Sequence, residues 1–291
     1  MTDLRPRRSV LYMPGANERA LEKAKGLDAD ALILDLEDAV APDAKADARA
    51  RVCAAAGSGE YGPREVTIRA NGIGTQWHDA DIAAIATSGA AAVVVPKVNR
   101  RDEVEQVAQA LAAAGAPDDL AIWAMLETPE AVFNAADIAS HPRLAVLVMG
   151  TNDLVKELQA EFVPGRAPLL FGLSACVTGA RAAGKVILDG VFNTLDDAEG
   201  FEAECVQGRQ FGFDGKTLIH PKQLEPANRV WAPSDDEVER SQVIIDAFEA
   251  AEAAGQGVVT VDGRMIENLH VEQARRVIAV AAAIQERVEN A

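Results

Sequence analysis

The stretch ALILDLEDAV, residues 31–40, decides how the chain is read. Its opening apolar run has the character of a buried strand. Asp35, Glu37 and Asp38 crowd its far end, and a carboxylate is costly to bury without a partner. A strand that closes in charge raises the question of what stands above it.

Working outward, the same kind of run recurs. RSVLYM (8–13), ALILDL (31–36), EVTIRA (65–70) and AAVVVP (91–96) are followed by AIWAML (121–126), LAVLVM (144–149), KVILDG (185–190) and KTLIHP (216–221). Alanine-rich stretches with helical spacing lie between them. NERALEKAKG opens on the capping residue Asn17, RDEVEQVAQALAAAG ends on a glycine, and TPEAVFNAADIAS carries proline in its first turn. Eight strands alternating with helices predict parallel βα units, and the count favours a closed (β/α)8 TIM barrel. A doubly wound open sheet is the alternative, but no G-x-G-x-x-G follows the first strand.

The composition shifts after the eighth strand. The expected division is a barrel over residues 1–232 and a C-terminal helical extension with a lid segment over 233–291. Within the extension, a long helix is capped near Ser234, Asp262-Gly263 makes a turn, and a final helix follows.

The whole chain sets further bounds. It has 291 residues, 49% of them apolar, enough for one large barrel or two smaller domains. A net charge of −17 argues against a nucleic-acid partner, which wants clustered Lys and Arg, yet leaves room for a small anionic substrate held by a few basic residues. Cys53, Cys176 and Cys205 show neither zinc spacing nor a Cys-x-x-Cys pair, so free thiols in a reducing cytosol are expected. With no apolar run of membrane-spanning length and no secretory-type N-terminus, a cytoplasmic protein without a membrane partner is expected.

Barrel chemistry sits at the carboxyl ends of the strands, so the residues ending each run are the candidates. They are the acidic cluster after strand two, Arg69 and Asn71 after strand three, and Lys97 after strand four. Glu127 follows strand five, Gly150, Thr151, Asn152 and Asp153 follow strand six, Asp189 ends strand seven, and His220 closes strand eight. Glu127 and Asp153 end neighbouring strands, where two carboxylates can share one hard divalent cation such as Mg²⁺. Glu37 and Asp38 would then orient the metal's waters, which would make the acidic cluster tolerable. Arg69 suits a bidentate clamp on a substrate carboxylate, and a salt bridge to the acidic cluster is the compatible alternative. Lys97 joins the candidate substrate-binding residues. His220 is open to either a structural or a catalytic role, and Trp77, Trp123 and Trp231 read as packing.

Nine motifs in order, RSVLYMPGAN, LILDLEDAV, TIRANG, VVVPKV, AMLETPEAV, GTNDL, LDGVF, GFDGKTLIHPKQL and VDGRMIENLH, resemble the citrate lyase β-subunit-like proteins of the HpcH/HpaI aldolase superfamily. The likeness spans roughly residues 7 to 285. It implies a TIM barrel, a Mg²⁺ ion and coenzyme A thioesters, with relatives that include malyl-CoA and citramalyl-CoA lyases and a (3S)-malyl-CoA thioesterase. By resemblance, Glu127 and Asp153 are the metal ligands, Arg69 the substrate clamp, Gly150, Thr151 and Asn152 part of an α-keto acid cradle, and Glu37 and Asp38 outer supports. The DGRMIENLH segment is then a lid, delivered in relatives from a neighbouring subunit of a trimer or hexamer. In many relatives the lid acid is an aspartate, whereas here Glu267 stands in its place and reaches one methylene further. The expected reaction is Mg²⁺-dependent carbon–carbon cleavage of a 3-hydroxyacyl-CoA. Hydrolysis of the same thioester, or action on a carrier-borne citryl group, are the alternatives.

Overall fold

The structure is a computed structural model that describes residues 5–290. Eight parallel strands close into a barrel in sequence order, β1 pairing with β8. They are β1 (Ser9–Pro14), β2 (Ala31–Asp35), β3 (Glu65–Arg69), β4 (Ala92–Val95), β5 (Ala121–Leu126), β6 (Leu144–Met149), β7 (Val186–Asp189) and β8 (Gly215–Leu218). The expected barrel is present, and the open-sheet alternative is excluded by the β1–β8 pairing.

The intervening helices are α1 (Glu18–Ala24), α2 (Lys45–Ala56), α3 (His78–Ile85), α4 (Arg101–Ala113), α5 (Pro129–Phe133), α6 (Ala135–Ala139), α7 (Thr151–Glu157), α8 (Leu170–Ala182), α9 (Ala198–Phe211) and α10 (Leu224–Trp231). Local signals start several of them. The Asn17 side chain accepts from the N–H of Ala20, and that of Thr128 from the N–H of Ala131, each satisfying a first-turn donor. The helix expected from TPEAVFNAADIAS is broken at Asn134 into α5 and α6.

Side chains alternate along a strand, so one parity of each strand fills the barrel and the other faces the helices. Val10, Ala31, Ile33, Ala92, Val94, Trp123, Met125, Val146, Val148 and Leu188 form one continuous buried cluster. Trp123 is fully buried, as its packing role predicts. Carrying the parity of Ala31 and Ile33 forward places Asp35 at the top of this interior column. That of Trp123 and Met125 does the same for Glu127. The parity of Leu188 puts Asp189 on the opposite, helix-facing side.

Strand eight is shorter than expected. It ends at Leu218, and His220 caps a 3-10 turn over Pro221–Gln223, its Nδ1 accepting from the N–H of Lys222 at 3.1 Å.

Residues from Val230 onward form a separate compact unit, while Arg7–Arg229 form the barrel unit. The second unit contains α11 (Asp235–Ala253), the antiparallel strands β9 (Val259–Val261) and β10 (Arg264–Ile266), and α12 (Asn268–Glu289). Ser234 caps α11 by accepting from the N–H of Glu237, as expected. Asp262 and Gly263 both take positive φ, 50° and 74°, the geometry of a tight hairpin turn. Ile245, Phe248, Val261, Ile266, Val271 and Ala274 make this unit's own small core. Among the described residues no helix is long and apolar enough to cross a membrane.

Candidate active site

The acidic end of β2 finds its counter-charge in the next strand. Asp35 and Arg69 are register partners in the β2–β3 pairing. Arg69 donates from Nε to Asp35 Oδ1 and from Nη2 to Asp35 Oδ2, both at 2.7 Å. Its Nη1 stands 2.7 Å from Glu37 Oε2 and 3.5 Å from Asp38 Oδ2. The Tyr12 ring lies 4.9 Å from the guanidinium carbon. Asp35 and Arg69 are both buried, while Asp38 points to solvent. A guanidinium thus neutralises the cluster, where the sequence suggested a cation with its waters. The Nε/Nη2 edge of Arg69 is fully engaged by Asp35, and its Nη1 corner meets Glu37 and Asp38, so a substrate anion reaches Arg69 only by displacing those two acids.

Glu37 is the least settled of the three acids. Its Oε2 contacts Arg69 Nη1 by distance but has no hydrogen bond of acceptable angle. Burial pushes its carboxyl up to about 7, against the pull of Arg69 and with the push of Asp38 and Asp35.

Glu127 and Asp153 come together. Glu127 is 3% exposed at the end of β5, and Asp153 sits in the first turn of α7. Burial raises the Glu127 carboxyl well above the usual carboxylate range. Its hydrogen bond to Asp153 and the charge of Glu37 add to the rise. Burial also works against ionised Asp153, but hydrogen bonds from Glu127 and Lys97 outweigh it and hold that carboxyl low. Lys97 takes a left-handed backbone, φ 53°, and its Nζ lies 3.2 Å from Asp153 Oδ2. Its own N–H points at Glu127 Oε1 over 3.4 Å.

Close backbone packing holds this arrangement. A Cβ on Gly150 would fall 2.2 Å from Glu127 Cγ, so only glycine lets α7 begin against that side chain. A Cβ on Gly190 would fall 2.3 Å from Thr151 Oγ1, which wedges the start of α7 between β5 and β7. The first bond of the α7 ladder runs from the Leu154 N–H to the Gly150 carbonyl at 3.0 Å. The N–H groups of Thr151, Asn152 and Asp153 therefore lie outside the ladder. Asn152 exchanges side-chain hydrogen bonds with Asn193 at 2.7 and 3.2 Å.

The Glu127–Asp153 pair fits a magnesium ion. Two carboxyl groups that share Lys97 as a neighbour, one of them buried, supply oxygen donors, the ligands Mg²⁺ prefers. Among the described residues no group of three or more His, Cys, Asp or Glu converges on one point. An ion held there would take its remaining ligands from water and substrate oxygens, as is usual for Mg²⁺. A cleft of about 560 Å³ opens beside the pair, lined by Glu37, Asp38, Lys45, Asn71, Trp77 and Lys97 among others. Trp77, expected to be packing, is half-buried on this cleft with Lys45 Nζ 4.9 Å from its ring.

Asp189 falls outside the barrel mouth, and Glu267 belongs to the C-terminal unit. Asp189 pairs with its register partner Lys216, 3.1 Å away, and with Arg166 at 2.7 Å. Glu267 precedes α12, and its N–H donates to His270 Nδ1 at 3.1 Å. The reading of residues missed Tyr12 as a neighbour of Arg69 and Arg166 as a partner of Asp189. The period-two alternation in RSVLYM held the first signal, whereas nothing local marks the second.

A closed βα barrel with acidic and basic side chains gathered at the carboxyl ends of its strands is the architecture of a barrel enzyme. Residues 8–221 match the HpcH/HpaI aldolase/citrate lyase family, and the chain belongs to it. It is 52% identical over 279 residues to a (3S)-malyl-CoA thioesterase of Cereibacter sphaeroides, with 96% of each chain covered. It is 33% identical over 283 residues to the citrate lyase subunit beta of Escherichia coli, covering 95% of this chain and 94% of that one. Among solved structures it resembles CitE from Mycobacterium tuberculosis in complex with magnesium, acetoacetate and coenzyme A. That match has 25% identity and a TM-score of 0.76, over 94% of this chain and 97% of the other. The fold is shared more widely, with a TM-score of 0.83 to a citrate lyase from Burkholderia xenovorans at 19% identity.

Proposed function

We propose that this chain hydrolyses the thioester of a malyl-type 3-hydroxyacyl-CoA at a Mg²⁺ site, with carbon–carbon cleavage of the same substrate as the second reading. The observation that carries the proposal is the Glu127–Asp153 pair at the barrel mouth. The motif resemblance alone points first to cleavage. The 52% identity to a malyl-CoA thioesterase, against 33% to citrate lyase subunits, favours hydrolysis.

Glu127 and Asp153 would hold the metal, which when bound acts as a Lewis acid on the oxygen it touches. The Lys97 ammonium and the Nη1 corner of Arg69 would receive the substrate's distal carboxylate. The N–H groups of Thr151 and Asn152 would donate to its oxygens. Glu37 and Asp38 would give way to this carboxylate, since both now contact Arg69 Nη1.

Glu267 would supply the base, delivered on its lid from a neighbouring copy in a homo-oligomer. In hydrolysis, Glu267 takes a proton from water as the oxygen adds to the thioester carbon. The C–S bond then breaks and the sulfur leaves with a proton, giving malate and free coenzyme A. In cleavage, the hydroxyl would pass its proton to a water molecule as the C2–C3 bond breaks, with Glu267 entering in its protonated form. The electron pair passes to the thioester's α-carbon, which Glu267 protonates, giving glyoxylate and acetyl-CoA.

The test is to incubate the pure chain with Mg²⁺ and a panel of acyl-CoAs headed by (3S)-malyl-CoA, identifying products by mass. Malate with free thiol is expected, and glyoxylate with acetyl-CoA would move the second reading to first place. EDTA and Glu127→Gln should each abolish turnover. Full activity in metal-free buffer would overturn the scheme. A chain inert on every free coenzyme A thioester but active on a carrier-borne acyl group would be a lyase subunit.

A further inference from the structure

The function proposed above leaves one buried ion cluster without a role. Asp189 ends β7 on the helix-facing side and is 0% exposed, as is its register partner Lys216. Lys216 Nζ donates to Asp189 Oδ2 at 3.1 Å and to Glu204 Oε1 at 2.7 Å. Arg166, also buried, donates from Nη1 to both Asp189 oxygens at 2.7 and 2.9 Å, and from Nε to Gln207 Oε1 at 2.8 Å. Two cations and two carboxylates cancel. Arg166 Nη2 is buried and has no hydrogen-bond partner. Apolar side chains in place of a buried ion pair are often as stable or more so, and a buried donor left unmade is a further cost. Stability alone therefore does not account for the cluster. What hydrogen-bonded charges add over apolar packing is a fixed direction.

That direction leads to α7. The N–H of Gly190 donates to Asp189 Oδ1 at 2.8 Å. Gly190 in turn is packed against Thr151, the first residue of α7, with no room for a Cβ. The chain leaves α7 after Glu157 and reaches Arg166 through Gly165, both of these in left-handed backbone, φ 56° and 75°. A non-glycine residue keeps that backbone only where its surroundings over-determine it, and such residues gather at functional sites. Gln207 Nε2 adds a bond to the Gly165 carbonyl at 2.9 Å. Asp189 Oδ1 thus takes one donor from each side of the α7 excursion, the Gly190 N–H that backs its start and the Arg166 guanidinium at its end. The Thr217 hydroxyl, donating to the Asp189 carbonyl at 3.0 Å, helps Lys216 tie Asp189 to β8.

We propose that Asp189, Arg166 and Lys216 are positioning residues for the reaction centre. They hold α7 at both ends, and so place Asp153 and the N–H groups of Thr151 and Asn152 against Glu127. They act through α7, without touching the reacting atoms. The inference rests on the metal reading of Glu127 and Asp153 given above.

The test reads Mg²⁺ affinity by calorimetry beside the urea-unfolding free energy, because a role in stability alone moves only the second. Arg166→Met frees the far end of α7 and leaves Asp189 paired with Lys216. Groups that orient a metal ligand from behind typically change metal affinity by about 10- to 100-fold, so Arg166→Met should weaken Mg²⁺ about tenfold and lower kcat by a similar factor. Leu111→Ala, which opens a cavity under α4, is the control and should lower stability while keeping wild-type Mg²⁺ affinity. Gln207→Leu, half-buried on α9, removes the bonds to Arg166 Nε and the Gly165 carbonyl. It should weaken Mg²⁺ in the same direction by a smaller factor, and it carries the test should Arg166→Met not fold. Wild-type Mg²⁺ affinity in the folded variant, or an equal loss in Leu111→Ala, would overturn the inference and leave the proposed function standing. A wild-type chain whose Mg²⁺ affinity is unmoved by Glu127→Gln would remove the metal reading, and this inference with it.

Discussion

At the scale of single residues, two positions bear most of the site. Gly150 has no room for a methyl group, because the space beyond its Cα is filled by Glu127. Gly150→Ala should push the Glu127 carboxylate away from Asp153, lowering kcat at least tenfold and weakening Mg²⁺ in calorimetry. Unchanged metal affinity would show that the pair does not need this close approach. Arg69 is the counter-ion of a buried carboxylate, and removing one partner of such a pair costs about 3–5 kcal/mol. Arg69→Met should therefore lower the urea-unfolding free energy by about that amount, and a second change, Asp35→Leu, should recover much of it. A single variant as stable as wild type would mean that Asp35 is better solvated than its 2% exposure implies. Glu127 and Asp153 were legible as a pair from strand ends alone. The engagement of Arg69 by Asp35 was not, since it depends on which strands become neighbours.

At the scale of elements, strand parity sorts the charges. Asp35 with Arg69 and Asp189 with Lys216 are both cross-strand register pairs. The first faces the barrel interior and serves the site, while the second faces the helix layer and joins Arg166 to the sheet. Burial pushes the Asp189 carboxyl up, but Lys216 and Arg166 outweigh it and hold it below its ordinary range. A carboxylate with a depressed folded pKa adds stability that is complete above its unfolded pKa, about 3.9, and lost as pH falls through the lower folded value. Asp189→Asn should thus reduce stability at neutral pH and flatten the acid limb of the unfolding free energy against pH. An acid limb identical to wild type would contradict this. In the second unit, Ser234→Ala deletes the cap of α11 and should cost about 1 kcal/mol by denaturant unfolding. Start signals of this kind were read correctly from Asn17, Thr128-Pro129 and Ser234, because each is satisfied within one turn of chain. The break at Asn134 and the early end of β8 were not, because packing on neighbouring elements sets them.

At the scale of the whole molecule, a ligand that binds only the folded state stabilises it by mass action, about 2.7 kcal/mol at a hundredfold excess over Kd. Mg²⁺ titrated into the metal-free chain should therefore raise its melting temperature progressively, and Glu127→Gln should remove the rise. An equal rise in the variant would place the ion elsewhere. The sequence by itself determined the barrel, since eight apolar runs separated by helical stretches have few ways to bury every strand. It also marked the strand ends as the candidate positions for chemistry, because the residue that closes each apolar run is a local fact written in the chain. Only the tertiary structure decided which acid meets which base. Asp35 takes Arg69 and Asp189 takes Lys216 and Arg166, because barrel closure fixes register and parity, and a shift of one residue sends a side chain to the opposite face.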